Sequence, residues 1–174
     1  MVNLNAEHIS GRRTAALPII IGVAALVFAA DQLTKYWVVQ NIPLYGWWSF
    51  TIHTGRLFRI IYVTNSGAAL GVFPQLGTIF MVIAIVVVVG ILIFHRRLPV
   101  ESPWVRLALG LQLGGALGNL TDRLVRGSVV DFVDIGFWPI FNLADVAIVV
   151  GVAILAYYFW EEEKQLNAAK NNSL

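Results

Sequence analysis

The residues able to do chemistry in this chain are carboxylates, side-chain amides and a few cations. Most lie in two short runs. One is Gly118-Asn119-Leu120-Thr121-Asp122-Arg123, followed by Val129-Val130-Asp131-Phe132. The other is Phe141-Asn142-Leu143-Ala144-Asp145. Asp131 and Asp145 are 14 residues apart, across a segment that turns back into an apolar stretch. Two carboxylates brought together share one proton, because like charge at close range raises one pKa and leaves the other low. One is then an acid and the other a base at the same pH. Such a pair can activate a water and protonate a leaving amine, which is peptide hydrolysis of the aspartic type. No metal and no cofactor are expected. The sequence has no Cys and three scattered His, His8, His53 and His95, so a thiolate or His-based zinc site is not foreseen.

Plainer readings stand beside these. Asn142-x-x-Asp145 is close to a helix-start pattern, with Asn as the cap and a carboxylate three residues on. The two roles are compatible, since the positive end of a helix favours the ionised form of Asp145 and makes it the base of a coupled pair. Asp122 beside Arg123 reads either as an interfacial ion pair or as a guanidinium that holds peptide carbonyls and orders the carboxylates. Asp31 and Lys35 are spaced i,i+4 and read as a structural pair on one helix face. Asn65-Ser66-Gly67 is a turn signal whose Asn can also hydrogen-bond a substrate backbone. Gly110, Gly114 and Gly118 form two consecutive GxxxG spacings, which build close helix packing and place Asn119.

The elements that must position these groups follow from composition. The chain has 174 residues, 58% of them hydrophobic and 13% charged, with net charge +2. Soluble domains average about 25% charged residues, so a water-soluble globular domain and a disordered chain are both excluded. The Lys and Arg excess is small and dispersed, which argues against nucleic acid as a partner. Four apolar segments, about 15–39, 76–94, 103–121 and 139–160, approach the roughly 20 residues a membrane span needs. Lipid forces such segments to satisfy their own backbone hydrogen bonds, so they are read as helices. The expected fold is an all-α membrane protein, a single domain built as a four-helix transmembrane bundle. Its first loop, 40–75, holds a small β-hairpin or sheet, from aromatic and β-branched runs at 48–52 and 57–63 around a His53-Thr54-Gly55 turn. Trp47, Trp48, Phe50 and Phe58 suit the lipid headgroup region. The tail, 161–174, is expected to be solvated and partly disordered. Arg12 and Arg13 before an apolar stretch ending at Phe28-Ala29-Ala30 resemble a cleavable signal peptide, but the run is long for one, and a retained anchor is preferred.

Orientation follows the Lys and Arg count of the loops. With the N-terminus inside, Arg12, Arg13, Arg96, Arg97, Arg106, Lys164 and Lys170 are inside, and Lys35, Arg56, Arg59, Arg123 and Arg126 are outside. Both termini then face the cytoplasm. Asp31, Asp122, Arg123, Asp131, Asp134 and Asp145 collect at the outer ends of the spans, joined by Asn65, Asn119 and Asn142. Ionisable groups at the membrane are costly, so this clustering is the main functional clue. A proton-coupled transporter is the first competitor. It should show polar residues across the full depth, whereas these acids sit on one side. A non-enzymatic assembly subunit docked through the Gly-rich span, and a metal-dependent lipid phosphotransferase, are the others.

Five pieces together resemble the lipoprotein signal peptidase (signal peptidase II) family. They are Asp31-Gln32-Leu33-Thr34-Lys35, Asn65-Ser66-Gly67-Ala68-Ala69, the run from Gly114 to Arg123, Val129 to Phe132, and Phe141 to Asp145. They occur in family order; Leu70, where an aromatic is common, is a local departure. The resemblance implies an integral aspartyl endopeptidase of the bacterial inner membrane. It would remove the signal peptide from prolipoproteins that carry a diacylglyceryl-modified Cys, cutting just before that Cys near the outer face. It further implies Asp131 and Asp145 as the catalytic dyad. Asn65, Gly67, Asn119, Asp122, Arg123 and Asn142 would bind substrate or support the site, as would Asp31. Membrane lipids and globomycin-type cyclic peptides are implied as partners, and the chain is expected to act as a monomer.

Overall fold

The computed structural model describes residues 16–48, 58–66, 76–94 and 99–171. Gly67, the His53-Thr54-Gly55 turn, Phe50, His8, His95 and Arg12, Arg13, Arg56, Arg96 and Arg97 lie outside them. Within the described residues the chain is mostly helical. The helices are α1 (Ala16–Asn41), α2 (Leu76–Phe94), α3 (Pro103–Arg126) and α4 (Leu143–Asn171). Three strands, β1 (Trp47–Trp48), β2 (Arg59–Asn65) and β3 (Val129–Asp134), form an antiparallel sheet in the order β1-β2-β3.

Helix α3 is the centre of the bundle, and its glycines set how closely its neighbours approach. A Cβ on Gly114 would lie 2.6 Å from the Ala24 carbonyl oxygen of α1, and one on Gly110 2.6 Å from Val23 Cβ. On another face, a Cβ on Gly115 would lie 2.5 Å from the Ala144 carbonyl oxygen of α4. Helix α4 returns the contact with Gly151, whose Cβ would meet the Ala108 carbonyl oxygen at 2.8 Å. Small residues on two faces of one helix thus seat both partners, as expected where packing rather than water exclusion drives helix association. A cluster of Ala16, Ile20, Ala24, Ile91, Val105, Leu109 and Leu113 fills the helical core.

Helices α1 and α4 are long and apolar enough to cross a membrane, and only 22% and 17% of their most apolar windows are buried. The core helix of a water-soluble protein would be mostly buried. Leu26, Val86 and Val149 instead point outward at 74%, 63% and 67% exposure, which is the pattern of helices solvated by lipid.

Two elements differ from the sequence expectation. Helix α4 runs to Asn171, so residues 161–171 of the tail expected to be partly disordered are an exposed helical extension. Glu161, Gln165 and their neighbours are good helix formers, and they continue a helix already nucleated in the bundle. The sheet has a third strand, β3, that the sequence reading left unassigned. Its residues are buried on both faces except Val133, so no in–out alternation marks it.

Candidate active site

The chain ends α3 at Gly127, which adopts φ 76° and donates its N–H to the Arg123 carbonyl (3.1 Å). This left-handed cap is a conformation glycine adopts without strain. It reverses the chain so that β3 runs back beside β2 in the register Val63 opposite Asp131 and Asn65 opposite Val129. Beyond β3 a second reversal is closed by Gly136, whose N–H reaches Asp134 Oδ1 (2.8 Å). Phe132 and Val133 both donate backbone N–H to the Phe141 carbonyl, at 3.0 and 2.8 Å. Asp134 is held by Arg59 of β2, so its role is structural. These two turns carry Asn142 and Asp145 back against Asp131.

Each oxygen of the two carboxylates accepts a hydrogen bond from a neutral donor. Asp131 Oδ1 accepts from Asn142 Nδ2 (2.7 Å) and Oδ2 from Asn65 Nδ2 (2.9 Å). Asp145 Oδ1 accepts from Asn119 Nδ2 (2.8 Å) and Oδ2 from the Asn142 backbone N–H (3.2 Å). The Asp145 N–H in turn donates to Asn142 Oδ1 (3.0 Å). That reciprocal pair is a capping box at the start of α4. The helix-start reading of Asn142 and Asp145 therefore holds, and it coexists with their place beside Asp131. Asn142 is fully buried and touches both carboxyl groups. Arg123, half-buried on the last turns of α3, donates to the Asn119 carbonyl (3.1 Å), and its charge is felt by Asp145, Asp131 and Asp122.

Burial pushes the Asp131 carboxyl up to about 6, and the neighbouring Asp145 charge adds to the rise. The Asn65 and Asn142 donors and the Lys35 cation pull it partly back. An acid held this high keeps its proton at a pH where an ordinary carboxyl has lost it, which is what the acid of an acid–base pair requires.

Behind this pair lies a second, fully buried cluster. Lys35 Nζ donates to Asp31 Oδ2 (2.9 Å), Asp122 Oδ2 (2.8 Å) and Asn119 Oδ1 (3.0 Å). Asp122 also accepts from Arg126, from Gln32 Nε2 (3.3 Å) and from the Val130 backbone N–H (3.1 Å). Asp31 accepts from the Ala144 backbone N–H (3.1 Å) and from Gln32 Nε2 (3.1 Å). Each acid of the cluster thus grips the backbone one residue before a carboxylate of the pair. Asp31 holds Ala144 ahead of Asp145, and Asp122 holds Val130 ahead of Asp131.

The structure brings Asp31, Asn65, Asn119, Asp122, Arg123, Asn142, Asp131 and Asp145 into this one region. Lys35, Gln32 and Arg126 were not in the predicted set. A lysine inside an apolar span is itself a signal, because it must find partners; the i,i+4 spacing to Asp31 supplied one and hid the others.

A family model described as Signal peptidase (SPase) II matches residues 23–161, which contain every residue of this site. The chain belongs to the signal peptidase II family. A lipoprotein signal peptidase of Moorella thermoacetica is 45% identical over 141 residues, covering 78% of this chain and 88% of that protein. Another, of Halothermothrix orenii, is 41% identical over 143 residues, covering 82% and 95%. A solved structure described as a bacterial membrane enzyme superposes with a TM-score of 0.75 at 28% identity, over 84% of this chain and 90% of that one. Membership in this peptidase family agrees with the resemblance read from the five sequence motifs.

Proposed function

We propose that this protein is a membrane aspartyl endopeptidase. It cleaves the signal peptide from diacylglyceryl-modified prolipoproteins just before the lipidated Cys, with Asp131 and Asp145 as the catalytic pair. The observation that carries the reading is the pair itself: two carboxylates whose four oxygens each accept from a neutral donor, joined through Asn142, and set where β3 meets the start of α4. The relatives named lipoprotein signal peptidase supply the substrate class.

In this reading Asp145 is the base and Asp131 the acid. Asp145 takes a proton from a water whose oxygen attacks the scissile carbonyl carbon, while Asp131 gives its proton to the carbonyl oxygen. Collapse of the tetrahedral intermediate breaks the C–N bond. Asp145 passes its proton to the leaving amine of the Cys, and Asp131 recovers one from the intermediate's hydroxyl. Arg123 holds peptide carbonyls of the unwound segment, and Asn65 and Asn119 orient the acids. Asp31 and Asp122 support them from behind.

In the same reading the chain crosses the bacterial inner membrane four times, with the site near the outer face and both termini in the cytoplasm. The packing of α1 on α3, and the part Asp31 and Lys35 play behind the pair, support a retained anchor rather than a cleaved signal peptide. Exposed Trp47, Trp48 and Phe58 suit the sheet to the headgroup layer. A lipid-anchored Cys presents its scissile bond at that depth, and water reaches it from the outer side.

The test is cleavage of a purified diacylglyceryl-modified prolipoprotein by the detergent-solubilised protein, beside Asp131→Asn and Asp145→Asn, with and without EDTA. Cleavage before the lipidated Cys by wild type alone, unaffected by EDTA, is the expected result. Equal cleavage by the variants, or loss with chelator, overturns the two-Asp mechanism.

A further inference from the structure

Lys35 does not touch either carboxylate of the pair, yet its bonding has a direction that reaches both. An ammonium only donates. Its three acceptors are Asp31 Oδ2, Asp122 Oδ2 and Asn119 Oδ1, one for each proton. The Asn119 carbonyl oxygen is therefore pinned toward α1, and its NH2 group must face the other way, onto Asp145 Oδ1. The same oxygen also accepts from Asn142 Nδ2 (3.0 Å). This pins the second amide: its remaining N–H falls on Asp131 Oδ1, and its oxygen on the Asp145 N–H.

An asparagine amide can flip end for end at little steric cost, because its oxygen and nitrogen are nearly the same size. A flipped Asn119 would turn a carbonyl oxygen against the Asp145 carboxylate. A flipped Asn142 would do the same to Asp131. We propose that Lys35 is a positioning residue for the peptidase reaction: as a buried, donor-only group it fixes the orientation of the Asn119 and Asn142 amides, so that both present N–H groups to the catalytic carboxylates. This rests on the two-Asp reading above and adds to it the group that sets the direction of the amide chain.

Among the described residues, these charged groups bear on the amide chain. Asp31 on α1 and Asp122 on α3 face Lys35, and Arg126 on α3 pairs with the other oxygen of Asp122. Asp145 on α4, Lys35 on α1 and Arg123 on α3 act on Asp131, while β2 contributes the neutral Asn65. Removing Lys35 alone would leave Asp31 and Asp122 in charge imbalance, so Lys35 is replaced together with Asp31, which keeps the net charge of the cluster that of the wild type. Asp31→Asn retains the shape and an acceptor for Ala144. On that background, Lys35→Met removes both the cation and the donor, whereas Lys35→Gln removes the cation and keeps a donor amide.

The readout is the pH profile of kcat for diacylglyceryl-prolipoprotein cleavage, with thermal unfolding as the check on folding. Relative to Asp31→Asn, Asp31→Asn/Lys35→Met should lose about 100-fold in kcat, the scale of one misplaced donor at a reacting centre. Its acid limb should move up by about one pH unit, because the ionised carboxylates lose donors. Asp31→Asn/Lys35→Gln should stay within about tenfold of Asp31→Asn with an unmoved limb. If the Met protein does not fold, the Gln protein decides the matter by the same criterion. Met and Gln proteins with one profile, or a Gln protein as inactive as Asp131→Asn, would overturn the role of Lys35. Cleavage by Asp131→Asn at the wild-type rate would instead overturn the underlying two-Asp reading, so the two failures are distinguishable.

Discussion

Two groups of carboxylates stand back to back in this protein, and they are treated in opposite ways. Asp31 and Asp122 are fully buried and answered by cations, Lys35 between them and Arg126 at the flank. Asp131 is nearly as deeply buried, and Asp145 half-buried, and each of their oxygens accepts from an uncharged amide or a backbone N–H. Burial costs every one of these charges. In the first group the cost is offset locally, which makes the group a fastener between α1, α3, β3 and α4. In the second the amide donors and the Lys35 charge offset it only in part, and the Asp131 carboxyl rises to about 6 as a result. Neutral donors orient a carboxylate without quenching its basicity. A cation would orient it and quench it. On the proposed two-Asp mechanism, the difference separates holding from reacting.

The largest expected effect tests the reacting half. Asp131→Asn or Asp145→Asn should lower prolipoprotein cleavage by about 10³-fold or more, the scale seen when one member of a catalytic group is removed. Neither should lower stability much. The holding half behaves in reverse. Lys35→Met on the wild-type background strands Asp31 and Asp122, and breaking a buried ion cluster by removing one partner costs about 3–5 kcal/mol. Urea unfolding in detergent reads this as a lower midpoint. A Lys35→Met protein as stable as wild type, or an Asp131→Asn protein that fails to fold, would erase the distinction between the two groups.

The pH dependence of stability sharpens it. Asp131 is 3% exposed and its folded-state carboxyl lies near 6, against an ordinary 3.8. The folded state therefore holds the proton more tightly than the unfolded one. Its contribution to stability is complete below about pH 4 and is lost as pH rises through 6. The full swing is about 3 kcal/mol at 1.36 kcal/mol per unit. Unfolding midpoints followed from pH 4 to 7 should fall for wild type by more than for Asp131→Asn. Parallel curves for the two would mean that Asp131 is not held high in the folded state.

This contrast was half legible in the sequence. Asp131 and Asp145 stood out because acids next to apolar spans need a reason, and because their motifs carry a family resemblance. The capping box at Asn142 was legible for the same local reason, a spacing of three. What local spacing cannot show is contact between distant segments. Asp122 was paired in sequence with its neighbour Arg123, yet residues i and i+1 do not share a helix face. It feels the Arg123 charge, but it also pairs with Arg126, one turn on, and with Lys35 on another helix. Likewise β3 pairs with β2 across more than sixty residues. It is covered on both faces, so it carries no period of its own.

Gly118 is where the two groups of acids meet, and the smallest predicted effect tests whether they are coupled. A Cβ at Gly118 would lie 2.5 Å from Asp31 Oδ2 and 3.5 Å from Ala144 Cβ. The first distance is too short for any real contact, and Asp31 cannot simply swing away, because the same carboxylate binds Lys35 and the Ala144 N–H. Gly118→Ala should therefore cost about 1–3 kcal/mol, the usual range for overpacking a filled site. The informative part is where the strain goes. Ala144 precedes Asp145, so a displaced Asp31 loosens the first turn of α4 and the aim of its carboxylate. If the fastener positions the reacting pair, kcat for prolipoprotein cleavage falls several-fold while KM holds. If stability drops and kcat is untouched, the cluster of Asp31, Lys35 and Asp122 holds the bundle together without steering the chemistry in front of it.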